Sequence, residues 1–233
     1  MNSFDMTRMI IGIVLALGVV AVFINKTFLK RNSFTSKFIT RCAIFSAFSV
    51  ILYLVPFLKF QLPIFPGFLE IHLDEVPILI SGFAYGPLSA VVITIVKTLI
   101  KLPFTKTMGV GELADLIYTL AFVIPASIIY KRKRNINNSL IAVLVGSGVQ
   151  LVVSCFVTSF AILNFYMAVM GLSKEAILGM CQAVNPAVTS LGFTFLVMVA
   201  LPFNAIKNAL VIVITFLLYK RMHTLIDKKI EKN

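Results

Sequence analysis

The chain has 233 residues, of which 59% are hydrophobic and only 13% charged, with a mean hydropathy of +1.00. That balance excludes an ordinary soluble domain, and because the apolar residues gather in long runs instead of alternating ten-residue strands, it also excludes a membrane β-barrel. The net charge of +12 does not point to nucleic acid, since the basic residues stand at the ends of apolar runs, the pattern of an integral membrane protein.

A span of about 20 residues as a ruler draws seven apolar segments, roughly 8–25, 38–57, 75–86, 87–104, 112–130, 139–171 and 202–221. Within the first, residues 9–24 could pass for a signal peptide, yet Arg8 is the only basic residue before them, no A-x-A site follows, and Lys26, Lys30 and Arg31 lie just downstream. It reads as an uncleaved, additional N-terminal transmembrane helix within 1–30, followed by a membrane domain over 31–233. The second segment carries Ala43 and Ala47 four residues apart, a spacing that lets another helix approach closely in lipid and marks a candidate partner interface. The third is short; Pro77 falls in its first turn, where a missing N–H does no harm, and Gly86-Pro87 separates it from the fourth with almost no loop. The sixth is too long for one span at about 1.5 Å per residue and must tilt or project. Cys42, Cys155 and Cys181 stand singly in or beside apolar sequence without metal or disulfide spacing, as small packing residues.

Connections 25–41, 83–88, 131–138 and 220–233 hold fourteen of the twenty-one lysines and arginines. Those connections are therefore expected to be cytoplasmic, with the N-terminus outside and the C-terminus inside a multi-pass protein of the cell membrane. The outer connections are then 58–74, 105–111 and 172–201, the last a long loop of the kind that serves as a lid or binding element.

Polar residues stand out against this background. Gly109-Val110-Gly111-Glu112-Leu113-Ala114-Asp115-Leu116 is a glycine hinge opening into an apolar run with two carboxylates at its start. Asp115 reads first as a helix cap; Glu112 reads as a cap or as a site residue, since a carboxylate at the mouth of a spanning helix costs a few kcal/mol to desolvate and is rarely kept without a partner or ligand. Asn204 and Lys207 lie three apart on one helix face, and with Asn164 and Glu112 they are expected at one depth beneath the outer loops. An amide and an ammonium there offer donors and an acceptor to a carbonyl- or hydroxyl-bearing ligand; the plainer reading is a snorkelling lysine and a capping asparagine. Lys97 and Lys101, i and i+4, are expected to snorkel or to pair with Glu112. There is no G-x-x-x-x-G-K-[ST], no H-E-x-x-H and no Ser/His/Asp set, and neither His72 nor His223 has a second metal ligand at motif spacing. No catalytic residue, metal site or cofactor is expected, and the protein is not read as an enzyme.

Over residues 38–221 the chain resembles the substrate-binding S components of energy-coupling-factor (ECF) vitamin transporters, most closely the riboflavin-specific ones. The resemblance rests on Ala43 and Ala47, on Gly82-Phe83-Ala84-Tyr85-Gly86-Pro87, on Gly109-Val110-Gly111-Glu112-Leu113 followed by Pro125 and Lys131-Arg132-Lys133-Arg134, on Asn164, and on Pro202-Phe203-Asn204 with Lys207. It implies an all-α fold, a six-helix bundle to which segment 8–25 is additional, with a vitamin bound near the outer face under loops 58–74, 105–111 and 172–201. It also implies docking through the alanine-bearing helix onto a transmembrane coupling subunit that carries two ATPases, with the loaded subunit toppling in the membrane to release its cargo. By position, Asn164, Asn204 and Lys207 look like polar contacts to riboflavin, with Glu112 a fourth. The absence of Trp counts against a thiamine-type site. The alternatives are another vitamin, or a self-sufficient ion-coupled carrier using Glu112, Asp115 and Lys97 as a relay.

Overall fold

The computed structural model describes residues 34–105, 107–158, 162–171 and 173–230. Segment 8–25 lies outside them. The chain divides into two compact units, Met1–Arg41 and Cys42–Asn233, and the second is the larger body.

The described residues are almost wholly helical. In chain order the helices are α1 (Ser36–Leu54), α2 (Glu75–Tyr85), α3 (Pro87–Lys101), α4 (Val110–Arg132), α5 (Ile136–Val157), α6 (Leu163–Met170), α7 (Lys174–Gln182) and α8 (Leu201–Ile230). Among the described residues five spans are long and apolar enough to cross a bilayer: Ser36–Leu54, Pro87–Phe104, Val110–Arg132, Ile136–Val157 and Phe193–Arg221; α2 is a shorter apolar helix. Ile44, Phe48, Leu144, Val152, Phe156, Val213 and Leu217 are exposed on the outward faces of α1, α5 and α8, a belt that hydrocarbon would cover. This is a multi-pass membrane protein.

Helix ends follow local chemistry. Gly86, at φ +94°, makes the turn between α2 and α3 that no side-chain-bearing residue takes easily, and Pro87 starts α3 where its missing N–H costs nothing. Asn135 caps α5 by accepting from the Asn138 N–H at 2.7 Å. Pro125 sits inside α4 without ending it. Cys42 and Cys181 are buried and Cys155 is intermediate, all three free; burial pushes the Cys181 thiol up to about 11, as suits a packing residue.

Two expected boundaries move. The long sixth segment is described as two helices, α5 and α6. The expected loop 172–201 instead holds α7, capped by Ser173, and the last span begins at Phe193. Pro202 suggested a helix start, but a π-turn at Leu196–Ala200 lies just before it, and the widened register accommodates a residue that cannot donate to the preceding turn.

Core packing is tightest around α4, which touches α2, α3 and α5, while α8 packs on α2 and α5. Gly146 of α5 lies so close to α4 that an added Cβ would stand 2.5 Å from the Phe122 carbonyl oxygen. Phe83, Tyr130 and Tyr219 stack between α2, α4 and α8, with the two tyrosine hydroxyls 2.6 Å apart. At the opposite end, segments 58–74, 107–109 and 173–192 converge on one cavity; an isolated antiparallel bridge between Phe60 and Ile71 pinches the first into a compact loop.

Candidate functional site

Beneath those three segments is a cavity of about 430 Å³. Its apolar wall comes from Phe68, Leu69, Ile162, Leu163, Ile177, Phe195 and Phe203, and its polar wall includes His72, Lys101, Glu112, Asp115, Asn204 and Lys207. Every one of the three connecting segments contributes to the lining, because α4 and α8 begin there and α1 and α3 end there.

The floor is a buried ion cluster. Lys97 of α3, fully buried, contacts the Asp74 carboxylate and reaches Asp115 at 2.7 Å and the Thr119 hydroxyl at 3.4 Å. Lys207 of α8 reaches Glu75 at 2.9 Å and Asp115 at 3.3 Å. His72 Nδ1 contacts Asp74, and its Nε2 stands 3.7 Å from Asp115. Charges buried this deeply persist only when paired, and here three carboxylates face two ammoniums and an imidazole. Tyr53 closes one side, its ring centroid 4.8 Å from Lys97 Nζ, 5.2 Å from Lys101 Nζ and 4.4 Å from the His72 ring. His72, Asp74 and Asp115 present donor atoms within 4.8 Å of one another, a spacing that suits a cation. The Lys97 ammonium contacts both carboxylates and supplies the positive charge there.

Glu112 is held differently. The Thr105 and Thr107 hydroxyls donate to its Oε2 at 2.7 and 3.0 Å, while the same two threonine oxygens accept from the N–H groups of Gly109 and Gly111 at 3.0 Å each. The threonines therefore cap α4, with Gly109 left-handed at φ +89°, and Glu112 closes the hydrogen-bond chain from the cavity side.

Asn204 faces the cavity from α8 and is tied on its far side. Its Nδ2 donates to the Ala200 carbonyl at 2.8 Å, and its Oδ1 accepts from Gln150 Nε2 of α5 at 3.1 Å. Behind it, Asn208 Nδ2 donates to Gln150 Oε1 at 2.7 Å and to the Ser147 hydroxyl at 3.0 Å.

Of the residues singled out in the sequence, Glu112, Asn204 and Lys207 thus line one cavity, whereas Asn164 lies half-buried on α6 and is not among the lining residues. Ala43 and Ala47 are exposed on α1. Two expectations are corrected. Asp115 is not a cap: α4 starts at Val110, so Asp115 is more than a turn inside, where its carboxylate meets Lys97 and Lys207. Lys97 neither snorkels nor pairs with Glu112, because it points into the bundle between Asp74 and Asp115; Lys101 makes no ion pair among the described residues and instead lies over Tyr53 at the cavity wall. Sequence reasoning missed His72, Asp74, Glu75 and Tyr53, because the lysines that meet Asp74, Glu75 and Tyr53 are distant in the chain and His72 joins the cluster through the nearby Asp74, and it missed Gln150 and Asn208, whose signal was present as lone amides within apolar helices.

The family model for the substrate-specific component of ECF transporters matches residues 37–219. The riboflavin transporter RibU of Staphylococcus aureus (strain TCH60) is 27% identical over 177 residues, 76% of this chain and 87% of the relative. The riboflavin transporter FmnP of Bacillus subtilis (strain 168) is 22% identical over 195 residues, 82% of this chain and 96% of the relative. A solved structure of the S component of a bacterial ECF transporter superposes with a TM-score of 0.63 at 24% identity, over 81% of this chain and 96% of that one, a likeness of fold.

Proposed function

From the premise that this chain belongs to the family of ECF transporter substrate-specific components, transport subunits and not enzymes, we propose that the cavity under segments 58–74, 107–109 and 173–192 binds riboflavin for uptake into the cell. The observation that carries the reading is the composition of that cavity. Aromatic and aliphatic walls suit a flat, largely apolar ring system, and the few polar groups, Glu112, Asn204 and Lys207 among them, suit its carbonyls and a hydroxylated tail. A volume of about 430 Å³ falls in the range that accommodates small-molecule ligands. Two relatives that bear the name riboflavin transporter support the same choice of cargo. Asn164 is the weakest member of the proposed contact set, because it stands off the cavity.

The chain holds no phosphate-binding loop, so we assign energisation to two ATPase subunits acting through a transmembrane coupling subunit that docks on the exposed Ala43 and Ala47 face of α1. On this reading the loop end faces outward and the C-terminus the cytoplasm, an orientation supported by the distribution of lysine and arginine.

The test is the purified protein's visible spectrum and titration with riboflavin. A co-purifying or bound yellow flavin is expected, and Asn204→Ala should weaken binding roughly ten- to hundred-fold, the effect of about 1–3 kcal/mol of lost polar contact. Absence of binding by the folded wild-type protein would remove the reading. The buried Asp74–Lys97–Asp115–His72 cluster favours one rival, an ion-coupled carrier. In proteoliposomes a carrier accumulates cargo on an ion gradient alone, whereas the proposed subunit does not.

A further inference from the structure

We infer that Gln150, which does not line the cavity, is a positioning residue that holds the Asn204 amide in the plane and direction the Ala200 carbonyl sets, and thereby selects ligands by the order of donor and acceptor on one edge. The inference rests on the cargo reading above and deepens it.

An asparagine amide presents oxygen on one side and nitrogen on the other, and the two are interchangeable in shape, so something else must decide between them. Here one backbone carbonyl decides for three side chains. The Ala200 oxygen can only accept, so the nitrogen of Asn204 must face it, at 2.8 Å. The Asn204 oxygen then faces Gln150, which must offer its nitrogen, at 3.1 Å. The Gln150 oxygen in turn faces Asn208, which must offer its nitrogen, at 2.7 Å, and that same nitrogen also meets Ser147. Gln150 and Asn208 are each 1% exposed, so water does not compete for these bonds. The Ala200 carbonyl belongs to the π-turn that precedes α8, and Ala200 itself lines the cavity.

After these bonds Asn204 retains one N–H and one oxygen lone pair that no described residue uses, and it stands at the cavity wall. A fixed donor beside a fixed acceptor recognises a ligand edge carrying an acceptor beside a donor: a lactam or imide edge, such as the pyrimidine side of an isoalloxazine with its N–H flanked by carbonyls. Without Gln150, only the Ala200 bond would hold the amide, and its free oxygen would lose the partner that keeps it in plane with the cavity wall.

The experiment measures dissociation constants for riboflavin and N3-methylriboflavin with the full chain in detergent, comparing wild type with Gln150→Leu and Gln150→Met. Both variants remove the donor to Asn204. The methionine variant keeps the length of the side chain, so a loss shared by the two folded variants reports the missing donor and not a change of packing. Wild type is expected to prefer riboflavin over the methylated analogue. Each folded variant should lose about ten-fold for riboflavin, the scale of one buried hydrogen bond, and about three-fold or less for the analogue, so that the preference collapses. An equal loss for both ligands, or none, in a monodisperse variant overturns the inference and leaves the cargo reading standing. Wild type that binds neither flavin overturns the cargo reading and the inference with it.

Discussion

Replacing Lys97 by methionine asks how much the bundle depends on one buried charge. The ammonium is fully buried, contacts Asp74, and lies 2.7 Å from Asp115. At an effective dielectric constant of about 20, the Asp115 pair alone is worth roughly 6 kcal/mol of gross Coulomb attraction, most of it offset by the desolvation of both groups. Lys97→Met removes the attraction and leaves Asp74 and Asp115 buried with only His72 and Lys207 to balance them. A net loss of about 3–5 kcal/mol is expected, or roughly 6–20 °C in apparent Tm for a chain of this size. The assay is thermal unfolding of the detergent-solubilised protein, followed by size-exclusion chromatography. Lys97→Met combined with Asp74→Asn restores more than half of the loss, because it is the stranded carboxylate and not the missing side-chain volume that destabilises. A single variant as stable as wild type, or a double variant no better than the single, would refute the argument that Lys97 is held as a counter-charge.

Gly146→Ala is expected to destabilise by about 1–3 kcal/mol, since its Cβ would fall 2.5 Å from a backbone oxygen of α4 that cannot retreat; a thermal shift of under one degree would contradict that packing. Ala47→Trp, on the exposed face of α1, should leave riboflavin affinity of the isolated subunit unchanged within two-fold while lowering uptake in cells at least ten-fold, the scale of about 1.4 kcal/mol or more of lost helix packing. Full uptake by this variant would place the partner interface elsewhere.

The legibility of this protein divides along sequence distance. Helix α2 and its Gly86-Pro87 end were readable because proline and glycine act within one turn, and the spans of α3, α4 and α5 because hydropathy is a local sum. The start of the last span was misplaced at Pro202 because a π-turn, invisible to a pattern of period 3.6, carries the helix past it. Glu112, Asn204 and Lys207 were visible as polar residues out of place, and the fold brings all three to one cavity; Asn164 had the same signature and lies off it. Lys97 and Asp115 were visible too, yet their roles were misjudged, since a lysine near a helix end and an acid near a helix start have cheap local explanations that only the positions of Asp74 and Lys207 exclude.

By itself the sequence determined that this chain lives in a bilayer, that it crosses with helices, and which hydrophilic groups the bilayer would not tolerate unaccompanied. Tertiary structure alone decided which of those groups accompany one another: Lys97 with Asp74 and Asp115, Lys207 with Glu75, Asn204 with Gln150. The physical reason is that dislike of hydrocarbon is a property each residue carries alone, whereas a salt bridge or an oriented amide is a property of two, set by helix packing across tens of residues of intervening chain.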